Sequence, residues 1–217
     1  MTDKPILFNG PMVRTILEGR KTQTRRVIKP QLGDIARAFQ FVPGKWRFLD
    51  HSRARVHQLF SPPFSTGDRL WVREAHFLTN KHAYRLSVGV DQSINPDDDY
   101  QACVYAEGFD LSRTGMRLRP SIHMPRWASR LTLIVEDVRV QRLQDISEAD
   151  AKSEGCDAEQ AKSLALCDGA MPGNSKRCFH WLWNSINGPE AWDANPWVAA
   201  ITFRAIRANI DSPEARA

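Results

Sequence analysis

An α+β domain built around a bent antiparallel sheet is the fold that this sequence predicts. Three observations lead there. Short segments alternate apolar and polar residues between Gly and Pro breaks, as strands do. A longer run, 130–142, reverses its apolar phase at Glu136-Asp137, the pattern of a bulged strand that bends a sheet toward a small closed barrel. Short amphipathic stretches with helix caps are interspersed among these strands.

The chain of 217 residues suffices for one substantial core, and 42% hydrophobic with 25% charged residues excludes wholesale disorder. The expectation is a single domain over 1–207, interrupted by insertions at about 31–64 and 76–119 and followed by a flexible tail at 208–217. Asn9-Gly10-Pro11 reads as a helix start, with Met12, Val13, Ile16 and Leu17 as its apolar stripe and Gly19 as its stop. Residues 22–28, rich in Thr and β-branched side chains, enter a strand and leave Arg20 and Lys21 in the joint. Residues 39–42 and 46–49 flank Pro43-Gly44-Lys45 as a hairpin, which Ser61-Pro62-Pro63 closes off. Gly67-Asp68 turns into a strand in which Leu70 and Val72 share one face and Arg69, Trp71 and Arg73 the other. The stretch 79–119 is weakly patterned, with an acidic knot at Asp97-Asp98-Asp99 and one strand at 102–106. Ser147 and Asp150 resemble a capping box opening a short helix that Gly155 closes. A further helix, 175–186, stripes Cys178, Phe179, Leu182, Trp183 and Ile186 ahead of Gly188, and 197–203 is the last strand.

The formal net charge of +5 is concentrated. Residues 14–29 hold six cations (Arg14, Arg20, Lys21, Arg25, Arg26, Lys29) against Glu18 alone. Residues 113–130 hold five arginines and no acid, so the rest of the chain is net acidic. Two basic segments on an acidic protein point to an anionic partner, provided folding brings them together; as separate solvated faces they mean little. Cys103, Cys156, Cys167 and Cys178 form no C-x-x-C pair, which suits a reducing compartment and predicts no metal. The amino terminus lacks a leader pattern and no run reaches about 18 apolar residues, so a cytoplasmic protein with no membrane partner is expected.

Residues 16–25 are the most informative. A lysine held among cations and partly desolvated loses proton affinity and becomes a base, or an activator of a neighbouring hydroxyl. Lys21 and Thr24 face opposite sides of a regular strand, so they share a site only if the chain still turns through 21–23. The plain alternative is a solvated basic turn.

Gly19-x-Lys21-x-x-Thr24-x-Arg26, or the same pattern read with Arg25, resembles the G-x-K-x-x-T-x-R signature of ASCH domains, relatives of PUA-type RNA-binding barrels. Gly67-Asp68 before a strand, and Ile146-Ser147-Glu148 leading through Ala151 to Glu154-Gly155, are similar to later landmarks of that family. The runs 5–10, 67–74, 121–130 and 192–198 resemble an enlarged group found in tailed phages and prophages, and the two insertions have no counterpart in compact members. The resemblance implies a PUA-like β-barrel in a bacterial cytoplasm, with flanking short helices and a cleft for a base or nucleotide. It also implies one of two activities, deacylation of N4-acetylcytidine by a Lys, Thr and Glu trio, or RNA cleavage through the same lysine. Carried over by position, the trio is Lys21, Thr24 and Glu154, with Glu148 and Asp150 as alternatives on the same helix. Thr24 would attack or align water, Lys21 lower the hydroxyl pKa and steady the oxyanion, and Glu154 move protons, with no cofactor. In the ribonuclease form Lys21 activates a ribose hydroxyl while Arg25 or Arg26 braces the phosphate.

His123, Arg126, Trp127 and Arg130, joined by Trp71 and Arg73, mix rings with guanidinium groups as single-strand binders do, where stacking contributes roughly 1–3 kcal/mol per base. With Arg20, Arg25 and Arg26 they make up the expected contact set for RNA, single-stranded nucleic acid or a modified nucleoside. The bland reading takes Trp71 and Trp127 as core with snorkelling arginines around them. Two competing classes remain: a reader that holds RNA or a modified base without chemistry, and a phage assembly factor with no nucleic-acid affinity.

Overall fold

The computed structural model describes residues 2–29, 31, 35–50, 56–84, 87–98, 100–108, 115–156 and 175–216. Cys167, Asp99 and Arg113 lie outside these. The elements are β1 (Asp3–Leu7), α1 (Gly10–Leu17), β2 (Gln23–Val27), β3 (Ile35–Val42), β4 (Lys45–Asp50), β5 (Val56–Phe60), β6 (Arg69–Arg73), β7 (His76–Asn80), β8 (Gln92–Ile94), β9 (Gln101–Tyr105), β10 (Thr132–Arg142), α2 (Glu148–Ser153), α3 (Ser175–Asn187) and β11 (Trp197–Ile206). The fold is α+β, mostly strands in mixed sheets with few helices. Among the described residues no helix is long and apolar enough to cross a membrane.

The chain divides into two compact units where a single domain was expected: Met1–Gly19, Gly67–Ile134 and Arg204–Ala217 form unit 1, Arg20–Thr66 and Val135–Phe203 unit 2. Two of the divisions fall inside β10 and β11, which carry no Gly or Pro, so no linker signal marks them.

In unit 1, α1 starts where the Asn9 side chain accepts from the Met12 amide at 3.0 Å, with Pro in the first turn, and stops at Gly19, whose φ of 74° suits a residue without a β carbon. The strand order is β1-β6-β10, with β7-β9-β8 as a second sheet. β1 and β6 pair in parallel, Asp3 opposite Arg69 through Leu7 opposite Arg73, so the expected all-antiparallel sheet is a mixed one. The long crossover between the two strands makes parallel pairing possible, and no local pattern reveals it. β6 alternates as its sequence dictates, burying Leu70 and Val72 with Ile6, Leu131 and Leu133. The weakly patterned insertion contributes β7 and β8 beside the expected strand β9. Cys103 and Tyr105 of β9 pack with Met124 and Ala128.

The tail, expected to be flexible, packs within unit 1. Ile210 and Ala215 are buried, and Asn209 Nδ2 donates to the carbonyls of Arg126, Trp127 and Ser129 at 2.9, 3.1 and 2.8 Å. Arg69 Nη1 donates to the Ile210 and Ala215 carbonyls at 3.1 and 3.3 Å. The tail's polar composition suggests a loose segment, but its carbonyls accept from the Arg69 guanidinium.

In unit 2 the strand order is β10-β11-β2, and β3-β4-β5 form a separate sheet. The hairpin turns at Gly44 (φ 73°), as the sequence indicated, and β5 adds a strand that no pattern announced. Along β10 buried positions shift from Leu133 and Val135 to Val138 and Val140 across exposed Glu136 and Asp137, the anticipated change of phase. α2 is capped by Ser147 Oγ, which accepts from the Asp150 amide at 3.0 Å. Phe179 and Trp183 of α3 pack with Leu143, Ile146, Ala151, Cys156, Trp192 and Val198. Cys178 lies against this cluster, where its thiol hydrogen bond and burial push the Cys156 thiol well above the usual range.

Candidate functional site

The joint after α1 is held by main-chain pairing across the sequence. Lys21 forms an isolated antiparallel bridge with Glu154, and the Thr22 amide donates to the Ser153 carbonyl at 2.8 Å. This places Glu154, the last residue of the α2 turn, beside Lys21. Asp150 stands four residues earlier, on the same helix face. Gln23 and Arg25 are two apart in β2 and so share a strand face.

The side chains follow from that frame. Lys21 Nζ donates to Glu154 Oε2 at 2.6 Å and to the Glu154 carbonyl at 3.0 Å. Arg25 Nη1 donates to Glu154 Oε1 at 3.0 Å and to Gln23 Oε1 at 2.6 Å, and its Nη2 lies 3.1 Å from Asp150 Oδ2. Gln23 Nε2 donates to Asp150 Oδ1 at 3.2 Å and to Thr202 Oγ1 at 3.3 Å. Arg139 Nη2 reaches Asp150 Oδ1 at 2.8 Å. The Lys21 and Arg25 side chains have 0% exposure and that of Glu154 4%. Burial of this degree sets the energetics: desolvation is offset only while both carboxylate oxygens stay bonded, so every member depends on the others.

Burial pulls the Arg26 guanidinium below its usual value, against the opposing charge of Glu154; an arginine remains charged even so. Burial alone would raise the Asp150 carboxyl, but hydrogen bonds from Arg139 and Gln23 and the charges of Arg139 and Arg25 hold it below the ordinary aspartate range. A depressed folded-state value means stability present above the unfolded aspartate pKa and lost as pH falls through the folded one. The expected outcome is a urea midpoint that drops as pH is lowered from about 5 to about 3, and drops less in Asp150→Asn. Equal acid sensitivity in both proteins would refute this assignment.

Of the residues expected to be catalytic, Lys21 and Glu154 come together. Thr24 is buried opposite Ile201 of β11, and alternation turns its side chain to the face of β2 away from Gln23 and Arg25. Glu148, an alternative to Glu154, accepts from the Ser175 amide at 2.8 Å at the start of α3. Arg20 Nη1 lies 3.5 Å from the Gly155 carbonyl, and the Arg25 guanidinium stands 5.7 Å from the Phe179 ring centroid. In unit 1, Arg130 grips Glu74 with two bonds of 2.9 and 2.8 Å and Asp91 with a third of 3.1 Å, while its guanidinium lies 4.0 Å from the Tyr105 ring centroid. Arg126 bonds Asp211 through Nε at 2.8 Å and Nη2 at 2.6 Å, and Asp3 at 2.6 Å. Both arginines thus have carboxylate partners within the chain. Trp127 is half-buried against the Tyr105 cluster. The Arg73 guanidinium lies 5.3 Å from the Trp71 ring centroid, its Nη2 donating to the Ile122 carbonyl, and His123 is exposed.

Sequence reasoning passed over Gln23 and Arg139. The alternation 21, 23, 25 was a usable signal for Gln23; nothing local pointed to Arg139. Comparison of the chain with family models, curated proteins and solved structures finds no match.

Proposed function

We propose that the protein is an ASCH-like hydrolase acting on a nucleobase or RNA, of PUA-like ancestry, in which Lys21 and Glu154 handle the protons. The observation that carries this reading is the 2.6 Å contact between Lys21 Nζ and Glu154 Oε2, made between residues 133 apart. Around it the cations Arg20, Lys21, Arg25, Arg26 and Arg139 outnumber the carboxylates Asp137, Asp150 and Glu154. Such a surplus attracts phosphate or a developing oxyanion. In the deacylating form, Glu154 takes a proton from water as its oxygen bonds to the acyl carbon, and Lys21 steadies the oxyanion. The carbon–nitrogen bond then breaks and the amine leaves with the proton held by Glu154. The alternation of β2 counts against Thr24 as the third member.

The zero exposure of the Lys21 side chain favours a second reading. A substrate atom reaches Nζ only after local opening, whereas a non-catalytic RNA or modified-base reader needs the network only as scaffold. Lys21→Met preserves length and removes the charge. Mass spectrometry of N4-acetylcytidine and short RNAs incubated with wild type and this variant, with circular dichroism as a folding check, separates the two. Conversion by wild type that falls at least about 100-fold in the variant supports the hydrolase. An inert wild type that still binds labelled RNA supports the reader.

A further inference from the structure

His76 and Arg119 of unit 1 stand outside both readings. His76 has no exposed surface, and its Nδ1 lies 3.2 Å from the Glu74 carbonyl oxygen. With Nδ1–H as donor, Nε2 of the neutral ring carries a lone pair. Among the described residues nothing answers that atom, and Nε of Arg73 is likewise buried without a partner. Buried polar atoms are almost always paired with protein or ordered water, so two orphans in one neighbourhood call for a partner from outside the chain, a water or an anion.

The neighbourhood is cationic. His76 and Arg119 exchange main-chain hydrogen bonds of 3.0 and 2.8 Å, and Arg73 Nη2 donates to the carbonyl of Ile122, next to His123. The charges of Arg119, His123 and Arg73 all act on the His76 ring. Glu74, the nearest carboxylate in sequence, has both oxygens taken by Arg130, and Tyr105, opposite His76 on β9, bonds the Ala128 carbonyl at 2.9 Å and Ser93. The Arg119 and His123 side chains are exposed and offer a first contact, and a ligand meets the covered His76 Nε2 and Arg73 Nε after local opening, as at Lys21.

We propose that Arg73, His76, Arg119 and His123 form an oxyanion site for a phosphoryl group, which His76 meets as a proton-carrying donor. Burial, helped by the charges of Arg119 and Arg73, pulls the ring's proton affinity below that of an ordinary histidine, so the free protein holds it neutral near pH 7. A bound oxyanion restores the proton: Nε2–H then donates to a phosphate oxygen while Nδ1–H keeps the Glu74 carbonyl. Arg73 Nε–H supplies a second donor. Binding therefore takes up a proton and strengthens as pH falls. This site belongs to unit 1 and does not rest on the hydrolase reading.

The phosphoryl group belongs either to a nucleic-acid backbone or to a free phosphate, and two probes separate these sources. Fluorescence anisotropy follows a labelled oligouridylate, whose phosphodiester charge is constant with pH, and thermal shift follows inorganic phosphate. Arg119→Gln and His123→Gln alter exposed side chains and leave the fold intact by circular dichroism. Each is expected to weaken binding about five- to tenfold and to make the salt dependence shallower by about one ion. Wild-type affinity falls between about pH 6 and about pH 8. Phosphate stabilisation that depends on Arg119 without oligonucleotide binding assigns the site to a free phosphate. Unchanged affinity for both probes in both variants, or binding independent of pH, overturns the proposal. Because hydrolysis is read at Lys21, either idea can fail while the other stands.

Discussion

Glu154→Ala lowers the unfolding free energy by about 3–5 kcal/mol, the cost of stripping a buried cation of its carboxylate partner. Lys21 loses a 2.6 Å contact and Arg25 one of 3.0 Å, while the side chains of both are completely covered. An exposed pair of the same length would cost under about 1 kcal/mol, so the magnitude itself tests the burial. Glu154→Gln keeps one acceptor oxygen but turns its amide donor toward a cation and leaves the charges unbalanced, and falls between wild type and Ala. Lys21→Met in the Glu154→Ala background recovers part of the loss, because the stranded ammonium is gone while Arg25 retains Asp150. Urea unfolding of the four proteins measures this. A loss below about 1 kcal/mol for Glu154→Ala would show that water reaches the network freely.

Removing residues 208–217 costs unit 1 about 6–8 kcal/mol. Ile210 is fully buried, and withdrawing such a side chain contributes about 1.5–3 kcal/mol. Asn209 leaves three carbonyls without a donor, and Arg69 and Thr132 lose main-chain acceptors at 3.1 and 2.9 Å, each bond worth about 1 kcal/mol net. Against a typical total of about 5–15 kcal/mol this is a large fraction. Limited proteolysis and urea unfolding of the shortened chain, compared with Asn209→Ala, check it. A truncated protein as stable and as resistant as the full chain would mean that the segment does fray in solution.

The two outcomes concern residues that were legible to different degrees. The Ser147 cap and the four-residue spacing of Asp150 and Glu154 announced one acidic face on a short helix, since capping and helical repeat are local. The alternation through β6 and the change of phase in β10 were equally readable, because side-chain direction in a strand depends only on position. β1 was not readable as the parallel partner of β6, nor β5, β7 and β8 as strands, because pairing partners far along the chain leave no periodic trace. Asn209 was equally silent: a polar residue near a terminus looks solvated until its three acceptors are assembled around it.

From the amino-acid order alone came the α+β class, the element limits near Gly and Pro, the concentration of charge at 14–29 and 113–130, and the choice of Lys21 and Glu154. The first three follow from nearest-neighbour sterics and from charge, which need no knowledge of distant contacts, whereas Lys21 and Glu154 were singled out by the resemblance to ASCH domains. Tertiary structure decided the rest: that Lys21 is covered, that Thr24 faces the other side of β2, that Arg126 and Arg130 are held by their own carboxylates, and that His76 sits among cations with one nitrogen unanswered. Burial and pairing are properties of segments brought together over tens to hundreds of residues, so the free energy that governs these groups arises only once the chain has folded.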